Sequence, residues 1–280
     1  MTATVEILII GNEILVGDIK DTNTNWLCRL VHGRGGFVAR ATVLRDIPDD
    51  IANAVRAALD RGVDVVFTSG GLGPTADDLT LAAVARGAGL PLRLDPLALK
   101  MVKDQYDWFF EQGVMAEGGL NPAREKMAWL PDAGVPLFNP GGTAPGVLTR
   151  VGKTAIISLP GVPSELKGII THSLQDFLDE TFGQGGSNSW AITVRCNDES
   201  ILEPVLSRVV PDHPRVYIKS LATTVGENPE LDIILTVTGG EERERVRLLR
   251  AACTDLRAGL DTLSISYRDR PEPQGDDVDR

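Results

Sequence analysis

The chain has 280 residues, a formal net charge of −11 and three cysteines. That length allows one or two domains with ample core, and the acidic balance argues against general nucleic-acid binding, which needs basic surface to neutralise phosphates. Cys28, Cys196 and Cys253 lack the paired spacing of a zinc site and read as buried or bystander thiols, while a short, non-basic N-terminal apolar run and the lack of any stretch of about 18 uncharged apolar residues lead us to expect a cytoplasmic protein with no membrane segment.

In chain order, residues 5–10 read as a strand, 23–33 as a helix and 37–44 as a second strand, a βαβ opening. Pro48 and Asp49 mark the start of the next helix. Its Ile51, Val55 and Leu59 recur at four-residue intervals and lead into a mostly apolar run, 63–67, that reads as a buried strand. Residues 79–88 and 96–112 read as helices, 146–149 and 154–159 as short strands, and 163–182 as one closing helix. Strands separated by helices imply an α/β fold with a mostly parallel sheet.

Gly183-Gln-Gly-Gly-Ser-Asn-Ser189 has linker composition, which predicts a first domain over 1–182, a linker over 183–189 and a small α+β module over 190–262. The module reads as strand 190–195, helix 200–210, strands 216–220 and 231–238, and a helix over 241–258 with Val246, Leu249, Cys253 and Leu256 on one face. It has no Gly-x-x-Gly clamp for RNA and no constellation of catalytic residue types, so an assembly role in a homo-oligomer is expected. The remainder, 263–280, is charged and contains Pro and Gly, and reads as a mobile tail.

The most informative segment is Thr68-Ser-Gly-Gly-Leu-Gly-Pro-Thr-Ala-Asp-Asp-Leu-Thr80, because it follows a buried strand at the place where open α/β sheets bind ligands. Gly70, Gly71 and Gly73 let amide groups turn toward an anion and let the chain approach a phosphate closely. Asp77 and Asp78 add negative charge there, which suits a phosphate only if a metal cation, a donor hydroxyl or a reacting proton lies between. The plainer reading is that Asp78 caps the helix after it. Gly11-Asn-Glu-Ile-Leu-Val-Gly-Asp18 follows the first strand in the same way, but is neither a P-loop nor a dinucleotide fingerprint. Asp21, Thr22 and Asn23 belong either to the site or to the cap of the first helix. Asn139-Pro-Gly-Gly-Thr-Ala-Pro-Gly146 offers donors at Asn139 and Thr143 or is a structural connection only, and Leu159-Pro-Gly-Val-Pro-Ser-Glu-Leu-Lys167 places a tight turn and Ser164 before a helix, where free amides can hold an anion or a Ser or Glu simply supports the helix start. His32, His172 and His213 lie in no motif and read as surface residues.

Taken together, these four ordered segments resemble the N-terminal region of the CinA family of competence- and damage-inducible proteins. That region is similar to the molybdopterin-binding domain of molybdenum-cofactor biosynthesis proteins, and the resemblance, over residues 4–182, implies a three-layer α/β/α fold. Residues 190–260 resemble the family's following α/β module more loosely. Many members continue into a nicotinamide-mononucleotide deamidase domain; this chain stops after its charged tail, so no deamidase activity is expected.

The resemblance implies a choice of ligands. One is ADP-ribose, hydrolysed to AMP and ribose 5-phosphate with a divalent metal such as cobalt; the other is molybdopterin, bound or adenylylated. In the adenylylating relatives one acid follows a Pro at a helix start and another precedes a Thr after the Gly-rich loop, and these match Asp49 and Asp78. Asp77 departs from that pattern toward CinA, so hydrolysis of a nucleotide diphosphate is the leading expectation, with molybdopterin binding or adenylylation and non-catalytic nucleotide or pterin binding as alternatives. In the expected site Ser69, Gly70, Gly71 and Gly73 hold the diphosphate, Asp78 and Asp49 hold cobalt, magnesium or manganese, and Lys167 or Asn139 neutralises the departing phosphate. Asn12, Glu13, Thr75, Gly142, Thr143, Pro160, Gly161 and Ser164 complete the expected ligand-binding set.

Overall fold

The computed structural model describes residues 2–183, 186–196, 198–222 and 230–270. These form two units, one of residues 2–31 and 36–183 and one of residues 32–35 with those from 186 onward.

In the first unit β1 (Thr4–Ile10) leads through a short helix, α1 (Asn12–Leu15), into α2 (Asn23–Gly33), β2 (Phe37–Leu44), α3 (Pro48–Arg61), β3 (Val65–Ser69) and α4 (Thr80–Ala88). After β4 (Leu92–Leu94), α5 (Pro96–Glu111), α6 (Pro122–Lys126) and β5 (Trp129–Pro131) come β6 (Val135–Leu137), β7 (Gly146–Val151), β8 (Thr154–Leu159), α7 (Pro163–Ser173) and α8 (Gln175–Phe182). The main sheet runs β2-β1-β3-β8-β7-β6, with β2, β1, β3 and β8 parallel, β7 antiparallel to β8, and β6 antiparallel to β7. Every residue of β3 and β8 is buried, the pattern of strands covered by helices on both faces.

One face packs Ile7, Ile9, Phe67 and Ile157 against Leu27 and Val31 of α2 and against Leu166, Ile169 and Ile170 of α7. The other packs Leu8, Val66 and Ile156 against Val55 and Ala58 of α3 and Val84 of α4. Each such side chain contributes about 1.5–3 kcal/mol by leaving water, so the two cores fix the layers and bring the carboxyl ends of β1, β3 and β8 side by side. Pro48 opens α3 at a position where its missing N–H costs nothing, and Gly62 closes it in the left-handed conformation.

The closing helix expected over 163–182 is two helices. Gln175 Nε2 donates to the Ile170 carbonyl (2.9 Å), ending α7, and the bend at Leu174 lets Leu174, Phe177 and Leu178 join the same core as Leu166.

The second unit contains β9 (Ser187–Arg195), a 3-10 turn (Glu199–Leu202), α9 (Glu203–Asp212), β10 (Tyr217–Ala222), β11 (Glu230–Thr238), α10 (Glu242–Thr262) and β12 (Tyr267–Arg270). Its antiparallel sheet runs β10-β11-β9-β12, and Leu249, Cys253, Leu256 and Leu260 of α10 share a core with Ile192, Val194, Ile233 and Leu235.

Three expectations need correction here. Ser187–Ser189, given to the linker, belong to β9: they pair with β11, and Ser189 Oγ lies 3.0 Å from Thr236 Oγ1. Gln184 and Gly185 lie outside the described residues. The tail expected from 263 includes β12, which adds to the edge of β9; its charges are matched by the ion pairs Arg268–Glu230 and Arg270–Asp232, so a charged composition conceals a strand. Residues 271–280 lie outside the described residues. His213, expected at the surface, is mostly buried at its side chain and bonded to Asp255 (2.7 Å). Among the described residues no helix is long and apolar enough to cross a membrane.

Candidate functional site

Beyond the carboxyl ends of β1, β3 and β8 lies a cavity of about 510 Å³, where the loops after Ile10, Ser69 and Leu159 converge. This is the position that an open parallel sheet reserves for ligands, at the point where its strand order reverses.

Backbone requirements explain the glycines. Gly70 and Gly71 have φ of 111° and 66°, and a Cβ would stand 2.0 Å from the Ile10 carbonyl oxygen at the first and 2.3 Å from Thr80 Oγ1 at the second. Thr80, at the start of α4, donates its hydroxyl to the Gly70 carbonyl (2.7 Å) and its amide to that of Gly71 (3.1 Å), pinning the turn. The Gly70 amide donates to the Leu159 carbonyl (3.0 Å).

At the cavity wall, Asn23 is 6% exposed and its amide group donates to Ser69 Oγ (3.0 Å) and to the Gly161 carbonyl (2.7 Å). Ser69 Oγ in turn donates to the Pro160 carbonyl (3.2 Å). This chain ties the start of α2 to the ends of β3 and β8. Asn23 Oδ1 is buried without a partner among the described residues, a cost of about 1–3 kcal/mol that a donor from a ligand or water would remove.

The lining is acid-rich. Glu13, Asp21, Asp46, Asp77, Asp78 and Glu165 line it, against one lysine, Lys20. Most of these acids hold loops together. Asp21 caps α2, accepting from the Thr24 amide (2.9 Å) and hydroxyl, and Asp46 accepts from the Asn12 amide (2.8 Å). Asp78 accepts from the Thr75 amide (2.9 Å) and hydroxyl (2.7 Å), and that hydroxyl is shared with Asp77, whose carboxyl it holds below the usual range. The capping reading of Asp78 is therefore corrected: α4 has no side-chain cap, and Asp78 closes the turn before it.

Glu165 stands apart from these acids. It lies in the first turn of α7, half-buried, with Oε2 accepting from Asn139 Nδ2 (2.7 Å), and burial pushes its pKa up despite that bond.

Of the residues singled out in the sequence, Glu13, Ser69, Gly70, Gly71, Gly73, Asp78, Thr143, Pro160 and Gly161 line the cavity. Asn12, Thr75, Asn139, Gly142, Ser164, Asp49 and Lys167 do not line it. Asn12 and Thr75 are partners of the acids above. Asn139 is buried, with Nδ2 also donating to the Ala144 carbonyl (2.8 Å), and it organises its own loop. Lys167 sits over the Trp26 ring at 5.9 Å, and Asp49 forms an ion pair with Arg86.

Of the expected metal pair, Asp78 lines the cavity and Asp49 does not. Among the described residues no three His, Cys, Asp or Glu side chains converge to hold a metal ion.

Sequence reading missed Lys20, Asp46 and Glu165. Lys20 and Asp46 sit in plain loop sequence without a motif; Glu165 was in view inside Leu159–Lys167, but its signal, a glutamate four residues after Gly161 of a Pro-Gly turn, is equally that of a helix start.

Fold and cavity together define an α/β protein with an open cleft at the carboxyl edge of a mostly parallel sheet. Residues 6–180 match the family described as "Probable molybdopterin binding domain", and the chain belongs to that family. A protein of Aeropyrum pernix is 38% identical over 267 residues, covering 94% of this chain and 96% of its own length. One from Pyrobaculum arsenaticum is 36% identical over 252 residues, covering 89% and 92%. The solved structure of the protein CinA from Thermoplasma acidophilum is 37% identical, covers 63% of this chain and 98% of its own, and superposes with a TM-score of 0.57.

Proposed function

We propose that this chain binds a molybdopterin-type ligand, a pterin carrying a phosphate, in the cavity at the ends of β1, β3 and β8. The observation that carries this reading is the coincidence of two things: the family-matched span 6–180 contains the whole cavity, and the loops lining it are those whose glycines leave backbone free to approach an anion. The amides of the turn at Gly71–Gly73 and the Lys20 side chain supply donors for the phosphate. The remaining lining, with Ile9, Ile10, Ile14, Leu72 and Val162 beside polar groups, suits a flat heterocycle.

The hydrolysis reading, ADP-ribose to AMP and ribose 5-phosphate, has less support, because of the Asp49–Asp78 pair it relies on only Asp78 lines the cavity, and most cavity acids are engaged in loop closure. The test is product analysis. The chain is incubated with molybdopterin, with and without ATP, and separately with ADP-ribose, each in magnesium, manganese and cobalt, and bound and released species are identified by mass. Retention of the pterin supports the proposal, an adenylylated pterin adds transfer to it, and AMP released from ADP-ribose without pterin retention overturns it.

A further inference from the structure

Glu165 is a cavity acid set apart from Asp21, Asp46, Asp77 and Asp78, which close loops. A glutamate that only complements a helix N-terminus can do so from solvent; this one is half-buried and has a prepared seat. Gly142 lies beneath it, where a Cβ would come within 2.0 Å of Glu165 Oε2. Asn139, fixed by the Ala144 carbonyl at 2.8 Å, offers its other N–H to Oε2 at 2.7 Å. Gln105 Nε2 braces the loop beneath by donating to the carbonyls of Asn139 (2.6 Å) and Gly142 (2.8 Å). Oε1 has no partner among the described residues, and the residue lines the cavity. An ionised carboxylate accepts about four hydrogen bonds in a planar fork, so one bond from Asn139 fixes its orientation and leaves most of its capacity for the ligand.

The complement of such a fork is a pair of parallel N–H donors. A 2-amino-4-oxopyrimidine ring presents that pair, from its ring N–H and its exocyclic amine, and it is the edge shared by pterins and guanine. We propose that Glu165 is the specificity-determining residue of the cavity, accepting both donors of a 2-amino-4-oxopyrimidine edge, with Asn139 and Gly142 as its positioning residues. This rests on the pterin reading above. A site built around such donors rejects an analogue that lacks one, because its acceptor is then left facing an oxygen or nothing.

The test measures dissociation constants of the full chain for pterin against lumazine, which carries oxygen in place of the 2-amino group, and for guanosine monophosphate against inosine monophosphate, which lacks that amine. The same set is measured for Glu165→Gln, whose amide keeps the shape but presents a donor where the ligand also donates. The expected result is that the unaltered chain prefers pterin over lumazine about tenfold or more, and that the preference collapses toward unity in Glu165→Gln. Equal binding of pterin and lumazine by the unaltered chain overturns the role of Glu165 while leaving the pterin reading standing, and needs no variant. So does a Glu165→Gln chain that weakens both ligands alike, the mark of a purely structural residue. Preference for guanosine over inosine monophosphate without pterin binding keeps the edge-reading role and overturns the pterin reading. Failure of every probe to bind overturns both.

Discussion

Asp78 and Glu165 are both cavity carboxylates, and their surroundings assign them different work. Asp78 accepts two bonds from Thr75 and closes the Gly-rich loop. Asp78→Ala is expected to lower stability by about 1 kcal/mol and to weaken ligand binding, whereas Asp78→Asn, whose amide oxygen accepts the same bonds, should preserve both. Melting and binding curves on the two variants check this, and loss of function in Asp78→Asn at unchanged stability would instead restore the metal-ligand role. For Glu165 the sign runs the other way. Burial raises its carboxyl above the ordinary range, so its contribution favours the fold at low pH and is lost as pH rises through that raised value. Glu165→Gln is therefore expected to melt at the same or a slightly higher temperature than the unaltered chain near neutral pH, with the difference shrinking in acid. A lower midpoint at neutral pH would mean that the ionised carboxylate stabilises the fold.

At the scale of elements, the turn from β3 into α4 is the most constrained part of the site. Gly71→Val opposes a φ of 66° and drives its Cβ into Thr80, so it is expected to abolish ligand binding and to cost roughly 2 kcal/mol or more. Gly33→Ala, with open space around its Cβ at the end of α2, should be nearly silent in both assays. This turn was legible in the sequence because glycine at positive φ and a strand of buried apolar residues both leave composition signals; so were β1, β3, α3 and the mostly parallel order. The three-residue strands β4, β5 and β6 carry no periodicity, and β12 hides its strand character beneath charges whose partners are distant in sequence: Glu230 and Asp232 for its arginines and Arg257 for Asp269. In the site the same division holds. Loops marked by glycine were found, but Asp49 and Lys167 have the right chemistry and the wrong neighbours, and Asp46 and Lys20 reach the cavity through loop paths that no local pattern records.

For the molecule as a whole, each unit carries a core of its own, with Phe67, Ile157 and Leu166 in the first and Ile233, Leu249 and Leu256 in the second. The cavity belongs to the first. We expect the second to serve assembly: a chain ending at Phe182 should fold and bind ligand but show a reduced mass in light scattering, and a fragment that folds without binding ligand would place part of the site's support in the second unit. The central claim, a pterin phosphate held at the carboxyl edge of the sheet, is tested most directly by calorimetric titration of the full chain with molybdopterin, beside the Gly71→Val chain. Saturable binding at one site per chain, lost in Gly71→Val, is the predicted result; absence of binding, or binding that Gly71→Val leaves intact, would contradict it.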